Sequence, residues 1–514
     1  MGERSARRWL IGAALIMVAA CSTSHGAPVD LSGILHAPST TLAGGGGTTP
    51  GATTPGGAGG SGAAGPSVGG GGSVAAGGSV AAGSSSSGGV SGSTGGRSSG
   101  GGPVVSSGGP TATAGTITIG MQLADPNQDA ALTAIGVKGV TTGDEKGESE
   151  AVIAWINAHG GAAGRRLQAV YHYYSDNSET FSQMYQEACS AFTQDAKTFA
   201  AVTTAEFQSL NVLAACLAKA NTMLVFQNRL VWDQAMFNEF APYLYSPSYL
   251  RGDRWAVLID QLKANGFFDP GAKVGLLYID AAPDVRVKDQ IVKPRLAHFG
   301  IPVLAEASMP AYDSLSGLSD ASAAMSSAVL KFRTAGITHV VFVGTNGTAP
   351  FFFLPEAESQ SYRPRYAFNS SEIPQIETGN APAAQLHRAI GIGWWPTYDV
   401  DYPQDPGGIP ARDQCDAIFH AAGTKFTSRF AYNDAIDICD SLMFLTFGIN
   451  RAGGPSVTGF RAAVDGFGTS YASPFTFSTA FAPGRYDGAA SVRPEAFDDR
   501  CACWRYTGPP APAP

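Results

Sequence analysis

From Thr116 onward the chain alternates between short β-rich apolar runs and longer segments whose apolar residues recur at helical spacing. The first run is Ile117-Thr118-Ile119-Gly120-Met121-Gln122-Leu123. The first helix has Glu148 and Glu150 in its opening turns and sets Val152, Trp155 and Ile156 on one face. It stops at His159-Gly160-Gly161, where glycine accepts a left-handed cap. The pattern then predicts strand 167–174, helix 179–195, strand 198–204, helix 206–219 and strand 222–227, which together make one doubly wound lobe.

After a run at 243–248 a second series follows: helix 251–266, strand 273–280, helix 284–300, strand 302–309, helix 319–335 and strand 338–344. Helical segments at 411–422 and 432–449 return to the first lobe, because the second already holds its complement. The expected class is α/β, with two doubly wound parallel-sheet lobes. The expected divisions are lobe one at 116–248 and 391–490, lobe two at 249–390 and 491–508, and a frayed Pro-rich tail at 509–514.

Upstream the pattern changes. Arg4, Arg7 and Arg8 precede an apolar run from Trp9 to Ala20, too short to span a bilayer and built like a cleavable export signal. Val18-Ala19-Ala20-Cys21 resembles the lipobox of bacterial lipoproteins, which implies cleavage before Cys21 and lipidation of its sulfur. From about Thr40 to Gly115 the chain is almost entirely Gly, Ser, Ala, Thr and Pro with a single charge, Arg97. Such a segment does not bury enough apolar surface to offset its ordering entropy. As a Gly/Ser coil of about 75 residues it has a root-mean-square span of roughly 45 to 50 Å, which makes 21–115 a tether. The expected location is the extracytoplasmic face of the cell membrane.

The formal net charge of −8, without basic clusters, argues against a nucleic-acid partner. Setting Cys21 aside leaves Cys189, Cys216, Cys415, Cys439, Cys501 and Cys503, an even number that favours disulfides in an exported chain. Cys189 and Cys216 sit in helical segments flanking one strand and are expected to pair. Cys415 and Cys439 form the analogous pair, Cys501 and Cys503 need a turn to pair with each other, and a crossed pairing among these four stays open. No zinc-ligand spacing is present, so no metal is expected.

The stretch Ile156-Asn157-Ala158-His159-Gly160-Gly161-Ala162-Ala163-Gly164-Arg165 resembles the turn after the first helix in type I periplasmic binding proteins of the leucine/isoleucine/valine-binding family. A strand ending in Gly120 precedes it, and Tyr174-Ser175-Asp176-Asn177 follows the next strand, where that family commonly has an acidic turn. The resemblance spans about Thr116 to Gly508 and implies two lobes joined by three crossovers, closing on a ligand. It also suggests a monomer.

Open sheets place ligands beyond the carboxyl ends of their strands, so the strand exits carry the candidate binding residues. In lobe one these are Gln122 and Asp125, Thr203 and Thr204, and Gln227 and Asn228. In lobe two they are Asp280, then Thr345, Asn346 and Thr348, then Asn369, Ser370, Ser371 and Glu372. By resemblance, Thr203, Thr204 and Asn228 would hold a ligand carboxylate, Ser370, Glu372 or Asp280 stands near the ammonium position, and Tyr432 would cover the ligand. Trp394 and Trp395 follow an apparent crossover strand and are candidates for the cleft wall, at most one facing inward. Phe351-Phe352-Phe353 reads as core.

The body has no nucleophile elbow, P-loop or metalloprotease helix, and Gly391-Ile392-Gly393 lacks the third glycine of a dinucleotide fingerprint. No cofactor or catalytic residue is expected. The leading expectation is a solute-binding lipoprotein that delivers a small polar ligand, an amino acid or related compound, to an ABC-type permease. The alternative is an anchored sensor or scaffold with the same fold, and an exported hydrolase ranks third.

Overall fold

The computed structural model describes residues 115–125, 137–174, 180–402 and 404–514. Cys21, the tether and the Ser175-Asp176-Asn177 turn lie outside the described residues. The first sheet contains β1 (Thr116–Ala124), β2 (Arg166–Tyr174), β3 (Ala200–Thr203), β4 (Met223–Phe226) and β5 (Leu244–Tyr245), in the order β2-β1-β3-β4-β5 and parallel throughout. Its inner strands β3 and β4 are continuous buried runs because helices cover both faces, whereas β2 at the edge is only partly buried.

The second sheet contains β6 (Val274–Asp280), β7 (Val303–Pro310), β8 (His339–Val343), β9 (Arg365–Asn369), β10 (Ile390–Gly393), β11 (Ser491–Asp498) and β12 (Cys503–Tyr506). Its order is β12-β11-β10-β9-β8-β6-β7, and β11 and β12 run antiparallel at one edge. The strand 390–393 pairs with β9 and β11, so it belongs to lobe two and the chain returns to lobe one only after Trp394. The division placed at 391 therefore falls a few residues later.

The Asn157-containing turn has a structural role. Asn157 donates from Nδ2 to Leu167 O at 2.9 Å and accepts at Oδ1 from Leu167 N at 2.7 Å, clamping the helix Glu145–Ala158 to the start of β2. Gly391 and Gly393 likewise make room: a Cβ at either would collide with the buried carboxyls of Glu495 and Asp399. A cofactor loop is not needed to explain that pair.

The three crossovers are tied to one another. Gly488 N donates to Ser246 O at 2.9 Å, Ala489 N to Tyr249 O at 3.0 Å, and Trp395 Nε1 to Ser248 O at 2.9 Å. Asp487, fully buried there, pairs with Arg251 and Arg254. The Pro-rich end is not frayed. Residues Ala511–Pro512 (β13) pair with β11, Ala513 N donates to Ala490 O at 2.8 Å, and Arg254 donates to the carbonyls of Ala513 and Pro514.

Among the described residues three disulfides are present: Cys189 to Cys216, Cys415 to Cys439 and Cys501 to Cys503. The last pairs across a tight turn in which Ala502 has φ 49°, bringing the Cα atoms to 5.2 Å. No helix among the described residues is long and apolar enough to cross a membrane.

Candidate functional site

A cavity of about 180 Å³ lies between the lobes, beyond the carboxyl ends of both sheets. Tyr174 ends β2, Thr204 follows β3 and Arg229 follows β4, while Tyr312 follows β7, Asn346 and Gly347 follow β8 and Ile373 follows β9. The walls are mainly apolar, with aromatic and aliphatic side chains in nearly equal share. Phe181, Phe207 and Phe430 come from lobe one, and Tyr312, Phe351 and Phe352 from lobe two. Phe181 and Phe207 stack with centroids 4.4 Å apart, and Tyr312 meets Phe181 edge-on at 6.1 Å.

Polar contacts bridge the lobes around this space. Arg229 is ion-paired with Glu206 and donates from Nε to Asn346 Oδ1 at 3.0 Å; Asn346 Nδ2 donates to Glu206 O at 3.2 Å. Asn346 has φ 56°, a conformation asparagine tolerates better than most residues, and this aims its amide across the cleft. Farther along, Tyr312 N donates to Gln208 Oε1 at 2.9 Å and Phe181 N to Asp313 O at 2.8 Å.

Two buried carboxyls line the cavity, Asp434 from the helix Arg429–Ala452 and Glu377 from the helix Pro374–Asn380. Burial pushes both well above the usual carboxylate range. Repulsion from Glu145, Glu148 and Asp437 adds to this at Asp434 against the opposing pull of Arg229, and Glu372 adds to it at Glu377. Behind Asp434, burial together with Glu145 and Asp144 raises Glu148 to about 8. Lobe one thus sets an acidic wall behind the cleft.

Of the sequence candidates, Thr204 and Asn346 line the cavity, as does Thr348. Most of the remaining candidates stand elsewhere because their own fold uses them. Gln122 Oε1 accepts from Thr203 Oγ1 at 2.9 Å, and Thr203 Oγ1 accepts from Ala205 N at 3.0 Å. Gln227 Nε2 donates to Asp440 Oδ2 at 3.3 Å, and Asn228 Oδ1 accepts from Leu230 N at 2.6 Å.

Ser370 donates to Asp399 Oδ1 at 2.7 Å and accepts from Trp394 N at 2.7 Å, which fixes the second crossover. Glu372 accepts from Thr345 N at 2.9 Å and from the Thr345 hydroxyl, which fixes the turn after β8; burial raises it to about 7. Asp280 is exposed at the end of β6. Tyr432 donates to Asp416 Oδ1 at 2.9 Å and packs on Phe426. Trp394 and Trp395 are both buried at the crossover, and neither lines the cavity.

The aromatic triplet divides. Phe353 is core, against Phe332 and Tyr366, while Phe351 and Phe352 face the cleft. Sequence reasoning missed Glu206, Arg229, Tyr312, Glu377 and Asp434. Two signals were present: Arg229 is the one cation directly at a lobe-one strand exit, and Asp434, Asp437 and Asp440 form an acidic row in an otherwise apolar helix.

No family model and no curated protein matches the chain in sequence. Solved structures do. A solute-binding protein of an ABC transporter from R. palustris, in complex with 4-hydroxybenzoate, is 13% identical, with a TM-score of 0.55 over 78% of this chain and 98% of that one. A type 1 periplasmic binding protein from Bordetella pertussis Tohama I is 15% identical, with a TM-score of 0.56 over 77% and 100%. A branched-chain amino acid ABC transporter protein from Thermus thermophilus, with bound valine, is 14% identical, with a TM-score of 0.54 over 77% and 96%. With its two lobes, three crossovers and cavity between the sheets, the chain has the type I periplasmic binding protein fold.

Proposed function

We propose that this chain is an extracytoplasmic solute-binding lipoprotein, held to the membrane through Cys21, which captures a small molecule between its lobes and presents it to an ABC-type importer without transforming it. The observation that carries the reading is the apolar-walled cavity at the strand ends, bridged by Arg229, Glu206 and Asn346 from both lobes. Its volume, about 180 Å³, is close to that of an apolar cavity of about 150 Å³ that accepts benzene, so one ring or a branched alkyl group fits. Structural neighbours with bound 4-hydroxybenzoate, leucine and valine have ligands of that size.

The experiment is a thermal-shift screen of the purified chain against amino acids, aromatic carboxylates, amines and polyols. A ligand at 100 times its Kd adds about 2.7 kcal/mol to stability and raises Tm by several degrees. Absence of a shift with every solute would overturn the reading.

A further inference from the structure

The hydrogen-bonding groups around the cavity are unequally occupied. A ligand carboxylate needs donors, and among the described residues the cavity-lining groups after β3, β4 and β8 already serve the protein, the unpartnered amide nitrogens of Gln122 and Asn228 belonging to side chains outside the cavity lining. After β3, Thr204 N donates to Gln122 O at 3.1 Å, Ala205 N to Thr203 Oγ1 at 3.0 Å, and Thr204 Oγ1 to Glu145 Oε2 at 2.9 Å. After β4, Leu230 N donates to Asn228. After β8, the amides of Gly344, Thr345 and Gly347 are turned toward Glu372. The hydroxyls of Tyr312 and Thr348 bond each other at 3.1 Å, and Arg229 is held by Glu206 and Asn346.

Acceptors are in the opposite condition. Glu377 Oε2 and Asp434 Oδ2 are buried without a hydrogen-bond partner among the described residues, their residues 2% and 7% exposed, and both side chains line the cavity from opposite lobes. An unsatisfied buried carboxyl is costly, and a cation that supplies N–H donors removes that cost. The aromatic side chains in the walls attract the same charge, because a cation is stabilised over a ring face.

Resting on the solute-binding reading, we propose that the ligand is an organic ammonium without a carboxylate, a primary amine bearing one aromatic ring, whose N–H groups are taken by Glu377 and Asp434. The ring lies among Phe181, Phe207, Tyr312, Phe351 and Phe352. Glu145, Glu148 and Asp437 face Asp434 from two helices, Arg229 opposes them from the β4 exit, and Glu372 faces Glu377. In the empty cleft these like charges and burial favour the protonated form of both carboxyls. Binding of the ammonium ionises them, so protons are released and affinity rises with pH.

The test is calorimetric titration of the purified full chain with 2-phenylethylamine, 4-hydroxybenzoate, phenylalanine and leucine at pH 6.5 and 8.5, each in two buffers of different ionisation enthalpy. The amine is expected to bind with proton release and at least tenfold more tightly at the higher pH. Glu377→Gln and Asp434→Asn, near-isosteric changes, are each expected to weaken it at least tenfold. If either variant misfolds, proton release by the unaltered chain decides instead, and amine binding without it overturns the proposal. A carboxylate or amino acid that binds while the amine is silent also overturns it but leaves the solute-binding reading standing. Silence from all four here, followed by silence across the wider solute screen, overturns both.

Discussion

Ser209 donates from Oγ to the Asp313 carboxylate at 2.6 Å, joining the start of a lobe-one helix to the loop after β7 in lobe two. The same carboxylate accepts from Ser182 N at 3.0 Å, so one lobe-two side chain engages two lobe-one helix starts beside the cavity. Hydrogen bonds to a charged group contribute about 1.5–3 kcal/mol each, and about 1.4 kcal/mol is a tenfold change in an equilibrium constant. Asp313→Ala is expected to weaken ligand binding roughly ten- to a hundredfold by favouring separated lobes. Calorimetry checks the affinity, and small-angle scattering of the liganded protein checks the separation.

Thr204 and Tyr432, paired by sequence as binding residues, are expected to behave differently. Thr204→Ala removes a cavity-wall hydroxyl that bonds Glu145, and affinity should fall several-fold. Tyr432→Ala removes a bond to Asp416 and a ring contact with Phe426 outside the cavity, so affinity should hold while stability drops by about 1–3 kcal/mol. Titration and denaturant unfolding of the two variants separate these outcomes.

Stability should fall as pH rises. Burial raises Glu148 from 4.5 to about 8, and raises Glu372, Asp399 and Asp440 to about 7. Each carboxyl keeps its proton to higher pH in the fold than in the unfolded chain. Its stabilising contribution is complete below the unfolded value and is lost as pH climbs through the folded one. The ligand-free protein should therefore melt at higher temperature near pH 5 than near pH 8.5, and Glu148→Gln should flatten the profile. Thermal unfolding across that range checks both.

The docked tail makes a prediction of its own. Deleting 511–514 removes β13 and the carbonyls that Arg254 and Arg485 use at the crossovers. The truncated chain should lose about 1–3 kcal/mol, more than an unstructured end would cost. Unfolding of the truncated and full chains side by side measures the difference.

The alternating pattern of apolar runs and amphipathic helices carried the two lobes because burial on both faces of a parallel sheet writes itself into local composition. Pairing across the sheet does not. The sequence therefore misassigned strand 390–393, which looks like a crossover until its partners β9 and β11 are known. The site was legible to the same extent. Strand exits were the right places to look, and they yielded Thr204 and Asn346. Gln122, Thr203, Asn228, Ser370 and Glu372 occupy the same kind of position, yet turn inward to satisfy neighbouring backbone and side-chain groups.

By itself the sequence determined the α/β class, the two lobes, the Cys189 to Cys216 pair and the neighbourhood of the cleft, all of which follow from periodicity and local spacing. Tertiary structure alone decided which polar groups are left without partners. Asp434 lies in a lobe-one helix and Glu377 in a lobe-two helix, and only the folding of two sheets toward one cavity leaves both carboxyl oxygens facing it. Whether a side chain has a partner depends on atoms distant in sequence, so no local pattern records it.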